Sequence, residues 1–306
     1  MSDLSSQYPF HSIGNYLKKT MGTKVVKLSI DGGFTCPNRD GTKGRGGCIF
    51  CSASGSGDLA SDIPSQIRLL SDKWPNAKYL AYFQSHTNTY APASHLRRLY
   101  EEALSYPGVI GLAIATRPDC LPDDVLDLLE EFNRKTFLWV ELGFQTCHDE
   151  TARLINRCYP RSVYDKAIEE LTSRGIRTVT HLIFGLPGET REQMLSSVSY
   201  VCKNLGTDSE PRHIFGIKLH MLNLVKGSQM ETLYPDYVSF SSIEEYVDLV
   251  VDALEIIPPD ITIHRLSADA PRPTLIAPEW SYKKRTILNS IHKALKDRKT
   301  RQGAGL

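Results

Sequence analysis

Six short runs along the chain are rich in strand-forming, largely apolar residues: KVVKLSI (24–30), KYLAYFQ (78–84), VIGLAIA (109–115), FLWVELGF (137–144), IRTVTHLIFG (176–185) and HIFGIKLHML (213–222). Runs of this length without strict polar alternation predict strands buried on both faces, as in a parallel sheet. Between them, PASHLRRLYEEALS, PDDVLDLLEEFNR, SVYDKAIEELTSRG and REQMLSSVSYVCKNLG carry apolar residues at helical spacing, and two of the four close on the Gly expected just past a helix end. The repeated βα unit predicts an α/β fold, a partial (β/α)6 TIM-type barrel with helices outside, and places functional residues in loops at the C-terminal ends of strands. After about residue 225 the repeat loses its regularity. PDYVSFSSIEEYVDLVVDALEIIPP reads as a helix ended by prolines, DITIHRL as a short strand, and PEWSYKKRTILNSIHKALKDRKTRQ as a basic amphipathic helix. Two parts are expected: a barrel over 1–225 and a C-terminal α/β cap over 226–306.

Composition narrows the function classes. With 306 residues, 41% of them hydrophobic, the chain can bury a substantial core, and disorder is excluded for most of it. Lys plus Arg (36) nearly cancel Asp plus Glu (35), so the average charge attracts neither nucleic acid, membrane nor acidic substrate. Any basic surface must be local. The first residues lack the apolar core of a signal peptide and no run approaches a membrane span, so a cytoplasmic protein without membrane attachment is expected. Seven cysteines then read as thiols or metal ligands in a reducing compartment.

Three of the seven fall in CPNRDGTKGRGGCIFC (36–51), in the loop after the first predicted strand, as C-x11-C-x2-C. A structural zinc site closes its tetrahedron with four protein ligands, usually as two close pairs; here Cys48 and Cys51 form a pair and Cys36 stands alone. A [4Fe–4S] cluster on three cysteines leaves one iron open to an exogenous ligand, which makes it a cluster that does chemistry. Gly41, Gly44, Gly46 and Gly47 permit the backbone angles of a wrapping loop, and Phe50 can shield the metal from water. The competing reading is a zinc or redox-cluster module without catalysis. Cys120, Cys147, Cys158 and Cys202 form no C-x2-C pair, which disfavours a second cluster, and His181 and His220 read as core strand histidines.

SIDGGFTCPNRDG, AYFQSHTNTYAP, ATRPDCLPD, WVELGFQT with INR just after, HLIFGLPGET and HRLSADAPR follow one another in order. With the cysteine loop, they resemble the signatures of the radical S-adenosylmethionine (SAM) enzymes over roughly residues 8–303. The resemblance is nearest to the YhcC/YtqA-type group, which is related to the radical SAM part of the Elongator catalytic subunit and more distantly to the oxygen-independent coproporphyrinogen oxidase. The general family spacing is C-x3-C-x2-C; the long first gap here also marks the Elongator-like branch.

The resemblance implies an enzyme that cleaves SAM reductively at a [4Fe–4S] cluster on Cys36, Cys48 and Cys51 and abstracts hydrogen from a substrate. It also implies an electron donor such as flavodoxin or ferredoxin. AYFQSHTNTY stands where relatives carry a glycine-rich SAM-amine motif, which gives Gln84, Ser85 and Thr87 that role, although it departs from the common Gly-Gly-Glu form. Thr116 and Arg117 end the third strand; Arg117 either faces the strand-end layer or pairs with Asp119. Glu141, on one strand face with Gly143, needs a partner such as a ribose hydroxyl, an amine or a cation. By resemblance Gln145 contacts SAM or its ribose, and Arg157 pairs either with the SAM carboxylate or with a surface acid. Gly185 and Leu186, in HLIFGLPGE, fall at the adenine-recognition turn. No residue is assigned as catalytic acid or base. The last helix gathers Lys283, Lys284, Arg285, Lys293, Lys296, Arg298, Lys299 and Arg301 against Asp297, either a solvated face or a phosphate-binding stripe. Because Elongator-like relatives act on transfer RNA, modification of a wobble uridine is the first expectation for the substrate and a small metabolite the alternative.

Overall fold

The computed structural model describes residues 9–52, 54–55, 57, 59–203, 205–206, 213–268 and 270–306. In chain order the elements are α1 (Ile13–Met21), β1 (Val25–Ile30), α2 (Ile63–Ser71), β2 (Lys78–Phe83), α3 (Ala93–Ser105), β3 (Val109–Thr116), α4 (Asp123–Lys135), β4 (Phe137–Gln145), α5 (Asp149–Leu154) and α6 (Arg161–Ser173). They continue with β5 (Arg177–Phe184), α7 (Arg191–Val201), β6 (Gly216–Met221), β7 (Leu224–Val225), α8 (Gln229–Leu233), α9 (Ile243–Glu255), β8 (Thr262–Arg265), β9 (Leu275–Ala277), a 3-10 turn (Glu279–Tyr282) and α10 (Lys284–Asp297). All six strands expected from the apolar runs form, and they make a parallel half-barrel sheet in the order β1-β2-β3-β4-β5-β6-β8. The sequence places DITIHRL in the C-terminal cap; the structure adds it to the sheet as β8, a seventh strand parallel to β6.

Two compact units make up the chain. The first comprises residues 14–144 and 157–179. Here β1 to β4 run parallel in sequential order, with Lys27 opposite Leu80, Leu80 opposite Gly111 and Gly111 opposite Phe137. A Cβ on Gly111 would lie 2.1 Å from the Phe137 carbonyl oxygen, so only glycine allows this approach. The covering helices bury one stripe each: Leu96, Tyr100 and Ala103 on α3, and Val125, Leu128, Leu129 and Phe132 on α4. Phe83, Tyr100 and Phe132 meet edge to face at 5.2 and 5.7 Å, which ties sheet to helices.

The second unit holds the described residues up to 13, with 145–156 and 180–306. Thr190 and Gln193 cap α7 reciprocally. Short β8 does not end in an open edge, because Ser12 bridges Ile263 and the Ile263 N–H donates to the His11 carbonyl at 2.7 Å. Gln302, 5% exposed, fixes the chain terminus there: its amide donates to the Pro258 and Ile261 carbonyls and accepts from the His11 N–H. Helix α10 buries Ile287, Ile291 and Leu295 and packs on α9. Asp248 and Asp252 of α9 hold Arg191 of α7 on one side and Arg298 on the other. Among the described residues, no helix is long and apolar enough to cross a membrane.

Candidate active site

The gap between Cys36 and Cys48 is folded into a small hairpin. Asp40 and Arg45 form an isolated bridge, the Lys43 and Gly44 N–H groups donate to the Pro37 carbonyl, and the Gly47 N–H closes the base on the Asn38 carbonyl at 2.8 Å. Eleven intervening residues therefore leave and return to the same place. A turn with Cys51 N–H donating to Cys48 O at 2.9 Å brings in the third thiol. Arg39 reaches across to the Cys51 and Ser52 carbonyls and laces the far side of the loop. Gly47, at φ 80°, has the Arg39 side chain 3.0 Å from where its Cβ would stand.

Burial, with smaller contributions from Cys51 and Cys36, pushes the Cys48 thiol up to about 12, against the opposing effects of Arg117 and the Asn38 amide.

The loop after β2 lies on the cysteine loop and is stitched to it at both ends. The Thr87 N–H donates to the carbonyl of Thr35, next to Cys36, and the His86 N–H donates to the carbonyl of Gly55, beyond Cys51, each at 3.2 Å. His86 takes a left-handed φ of 60°, and its ring fills the space of a Gly55 side chain. Burial, then the Arg39 charge, holds its imidazole below the ordinary histidine range. Ser85 is 2% exposed, and its hydroxyl has no hydrogen-bond partner among the described residues. The same is true of Asn88 Oδ1, whose amide nitrogen donates to the Ala115 carbonyl at 2.8 Å. An orphaned buried acceptor is costly unless a ligand or water satisfies it. Gln84 is half-buried and anchored through its N–H to Ile30 O, and Thr87 is buried.

At the end of β3, Thr116 is buried and its hydroxyl shares a 2.6 Å bond with Thr89, which also donates to the Cys120 carbonyl at 2.5 Å. Of the two readings of Arg117, the structure selects the pair with Asp119: two parallel bonds of 2.9 Å. Burial works against the Arg117 charge, but Asp119 outweighs it and holds the guanidinium above its ordinary value. Burial likewise opposes the Asp119 carboxylate, yet Arg117 and Lys43, 3.3 Å away, keep it below the usual range. Lys43 thus ties the cysteine hairpin to the β3 end.

Glu141 is fully buried on β4, accepts from Trp139 Nε1 at 2.9 Å and lies 3.8 Å from the Lys27 ammonium of β1, so a cation meets the carboxylate within the protein. Arg157 is fully buried as well, donating to the Phe144 carbonyl at 2.6 Å and the Tyr159 carbonyl at 3.1 Å. Its guanidinium and that of Arg117 lie over the Tyr159 ring at 4.4 and 4.9 Å. A surface salt bridge, the other reading of Arg157, does not describe a side chain so placed.

In the second unit Gln145 ends β4 at a left-handed φ of 65°. Gly185 ends β5 at φ 82°; its N–H meets Met194 Sδ at 3.0 Å and its carbonyl accepts from Tyr237 Oη at 2.8 Å. A Cβ on Gly185 would lie 2.7 Å from that of Ser239, so the chain's own packing requires glycine there; Leu186 is buried. Burial raises the Glu189 carboxyl above the usual range against the hydroxyls of Thr146 and Thr151.

Sequence reasoning missed Asn38, Lys43, Asn88 and Tyr159, all polar residues whose partners are distant in the chain. It set Cys158 aside as unpaired by spacing; the structure puts the Cys158 sulfur 2.7 Å from the position of a Gly44 Cβ, beside the cysteine hairpin. Cys120, Cys147 and Cys202 are buried.

Comparison with known proteins places this geometry in a family. The model of the radical SAM superfamily matches residues 38–201, more than half of the chain, and that of the radical SAM C-terminal domain matches 214–297. The chain is 45% identical over 303 residues to the uncharacterized protein YtqA of Bacillus subtilis, covering 96% of this chain and 92% of YtqA. It is 41% identical over 273 residues to protein YhcC of Escherichia coli, covering 87% and 86% of the two chains. In fold it is similar to the archaeal Methanocaldococcus infernus Elp3, with a TM-score of 0.68 at 16% identity, over 91% of this chain and 64% of that one. The chain belongs to the radical SAM superfamily and is an enzyme that uses a [4Fe–4S] cluster and SAM.

Proposed function

We propose that Cys36, Cys48 and Cys51 hold the cluster and that the loop after β2 receives the amino-acid end of SAM beside it. The observation that carries this reading is Ser85 Oγ, a buried hydroxyl with no hydrogen-bond partner among the described residues, in a loop hydrogen-bonded to both flanks of the cysteine hairpin. When bound, the cluster and SAM supply one-electron cleavage of a carbon–sulfur bond. The chain's own work is positioning. Gln84, Ser85 and Thr87 present acceptors to an amine; Arg157 offers a fixed cation to a carboxylate; Thr116 and Glu141 hold the strand-end layer; Gln145 and the backbone of Gly185 and Leu186 recognise the nucleoside. Radical SAM enzymes require a reductant, here a flavodoxin or ferredoxin in the cytoplasm. Residues 1–225 carry this machinery and 226–306 form the extension; residues 1–8, 53, 56, 58, 204, 207–212 and 269 lie outside the described residues.

For the substrate we infer transfer RNA, with hydrogen abstraction at a wobble uridine. The support is the resemblance to Elongator-like enzymes and the exposed cations of α10 and its flanks. Of the eight basic residues, Arg298 is engaged by Asp248 and Asp252, and Lys293 lies 3.2 Å from Asp297. Lys283, Arg285, Lys296, Lys299 and Arg301 are exposed.

Two experiments test the reading. Substituting Cys36, Cys48 or Cys51 with Ala should each abolish SAM cleavage, and Cys202→Ala should retain it; cleavage surviving in any of the first three would sink the ligand assignment. Transfer RNA affinity should fall with salt, and Glu at positions 296, 299 and 301 should flatten that slope by about 0.7–0.9 for each phosphate that is no longer neutralised. Equal slopes for wild type and variant would favour a small metabolite.

A further inference from the structure

Asn38 is fully buried between the first two cysteines of the hairpin and is not itself a thiol, acid or base. Its backbone carbonyl closes the hairpin on the Gly47 N–H. Its side-chain oxygen lies over Gly44, 2.1 Å from where a Cβ would stand, so glycine leaves the room that the amide occupies. Its amide nitrogen is thereby turned to Cys48 Sγ, at 3.7 Å. A metal-bound thiolate accepts hydrogen bonds and donates none, so the nitrogen is the end of the amide that suits it.

We propose that Asn38 tunes the reduction potential of the cluster by donating an N–H···S hydrogen bond to the Cys48 sulfur. This rests on the reading that Cys48 is a ligand. The physical reason is charge: adding one electron increases the negative charge on the ligand sulfurs, and a donor aimed at one of them stabilises the reduced form more than the oxidised form. Asn38 is a positioning residue that acts through Cys48 and touches neither substrate nor SAM. Asn38 is buried and its bond to the sulfur part-buried, which limits replacement of the amide by solvent.

The test is potentiometric titration of anaerobically reconstituted full-length protein with dithionite as the one-electron donor, followed by EPR of the reduced cluster. Asn38→Leu, similar in volume and closed to water, should keep its iron and sulfide content. Its reduced-to-oxidised ratio at a fixed applied potential should fall about three- to tenfold; tenfold is ~59 mV for a one-electron couple. Asn38→Asp, which sets an acceptor against the sulfur, should fall at least as far. Unchanged potentials in variants with full iron content overturn the proposal and leave Cys48 as a ligand. If Cys48→Ala itself retains wild-type iron and potential, the underlying ligand assignment fails instead. Should neither Asn38 variant load iron, the wild-type protein decides: ENDOR of the reduced cluster after exchange into deuterium oxide should show a coupled deuteron assigned by 15N-asparagine labelling, and absence of that signal overturns the proposal.

Discussion

A methyl group on Gly44 would meet Asn38 Oδ1 at 2.1 Å and Cys158 Sγ at 2.7 Å. Asn38 cannot retreat cheaply, because it is buried and anchored through its own carbonyl. Gly44→Ala is therefore expected to destabilise the protein by about 1–3 kcal/mol, the usual cost of overpacking. Iron uptake should suffer with it, since the displaced residue lies between two of the thiols. Urea unfolding and iron analysis on the same preparation check both effects; wild-type values for both would mean that the hairpin yields more easily than its packing implies. The same residues show what a sequence hides. C-x11-C-x2-C stands out in the sequence, and suggests a metal loop, because three thiols in sixteen residues are a local pattern. Asn38, Lys43 and Asn88 were not, since an amide or ammonium declares its role only when a sulfur, carboxylate or carbonyl from elsewhere in the chain comes within reach.

Element by element, the apolar runs were legible to within a few residues at either end, because burial on both faces leaves little room for polar positions. Among the helices that escaped, α1 and α2 span nine residues each, while α5 and α8 span 6 and 5, too few for a helical period to repeat. Strand β8, four residues long, was read as a strand but not as part of the main sheet, since its pairing with β6 is a long-range choice. Helix α9 shows how such joins are secured. Asp248 and Asp252 stand four apart on one face and grip an arginine from α7 and another beyond α10. Burial opposes the Asp252 charge, but Arg298 and Arg191 outweigh it and hold its carboxyl below the ordinary range. A depressed value contributes stability above the unfolded carboxyl pKa of about 3.9 and loses it as pH falls through the folded value. Asp252→Asn should then cost up to about 1 kcal/mol at pH 7, discounted for its partial exposure, and nothing once both states are protonated. Denaturant midpoints for the two proteins, compared at pH 7 and toward pH 3, should converge; a constant gap would assign the loss to something other than charge.

Across the molecule, the seven cysteines divide by environment in a way that chemical labelling can read. Cys158 is exposed, whereas burial pushes the Cys120 and Cys202 thiols up to about 12. The thiolate is the reacting form, so in metal-free native protein Cys158 should alkylate first and Cys120 and Cys202 last. After cluster reconstitution, Cys36, Cys48 and Cys51 should fall silent while Cys158 still reacts. Peptide mass spectrometry after a brief exposure to iodoacetamide gives the order, and modification of the three hairpin cysteines in loaded protein would count against them as ligands.

The closed base of that hairpin also separates two quantities that a spacing pattern treats as one. The Gly47 N–H meets the Asn38 carbonyl at the neck of the excursion, so with the proposed ligand set the length of chain joining Cys36 to Cys48 would be a free variable as far as the metal is concerned. A motif defined by counting residues describes the wrong coordinate; the distance that matters is through space, across the neck of the loop. Chains whose first gap differs by several residues can hold one and the same inorganic core, and the surplus becomes a surface appendage on its rim, available for interactions that the metal never senses.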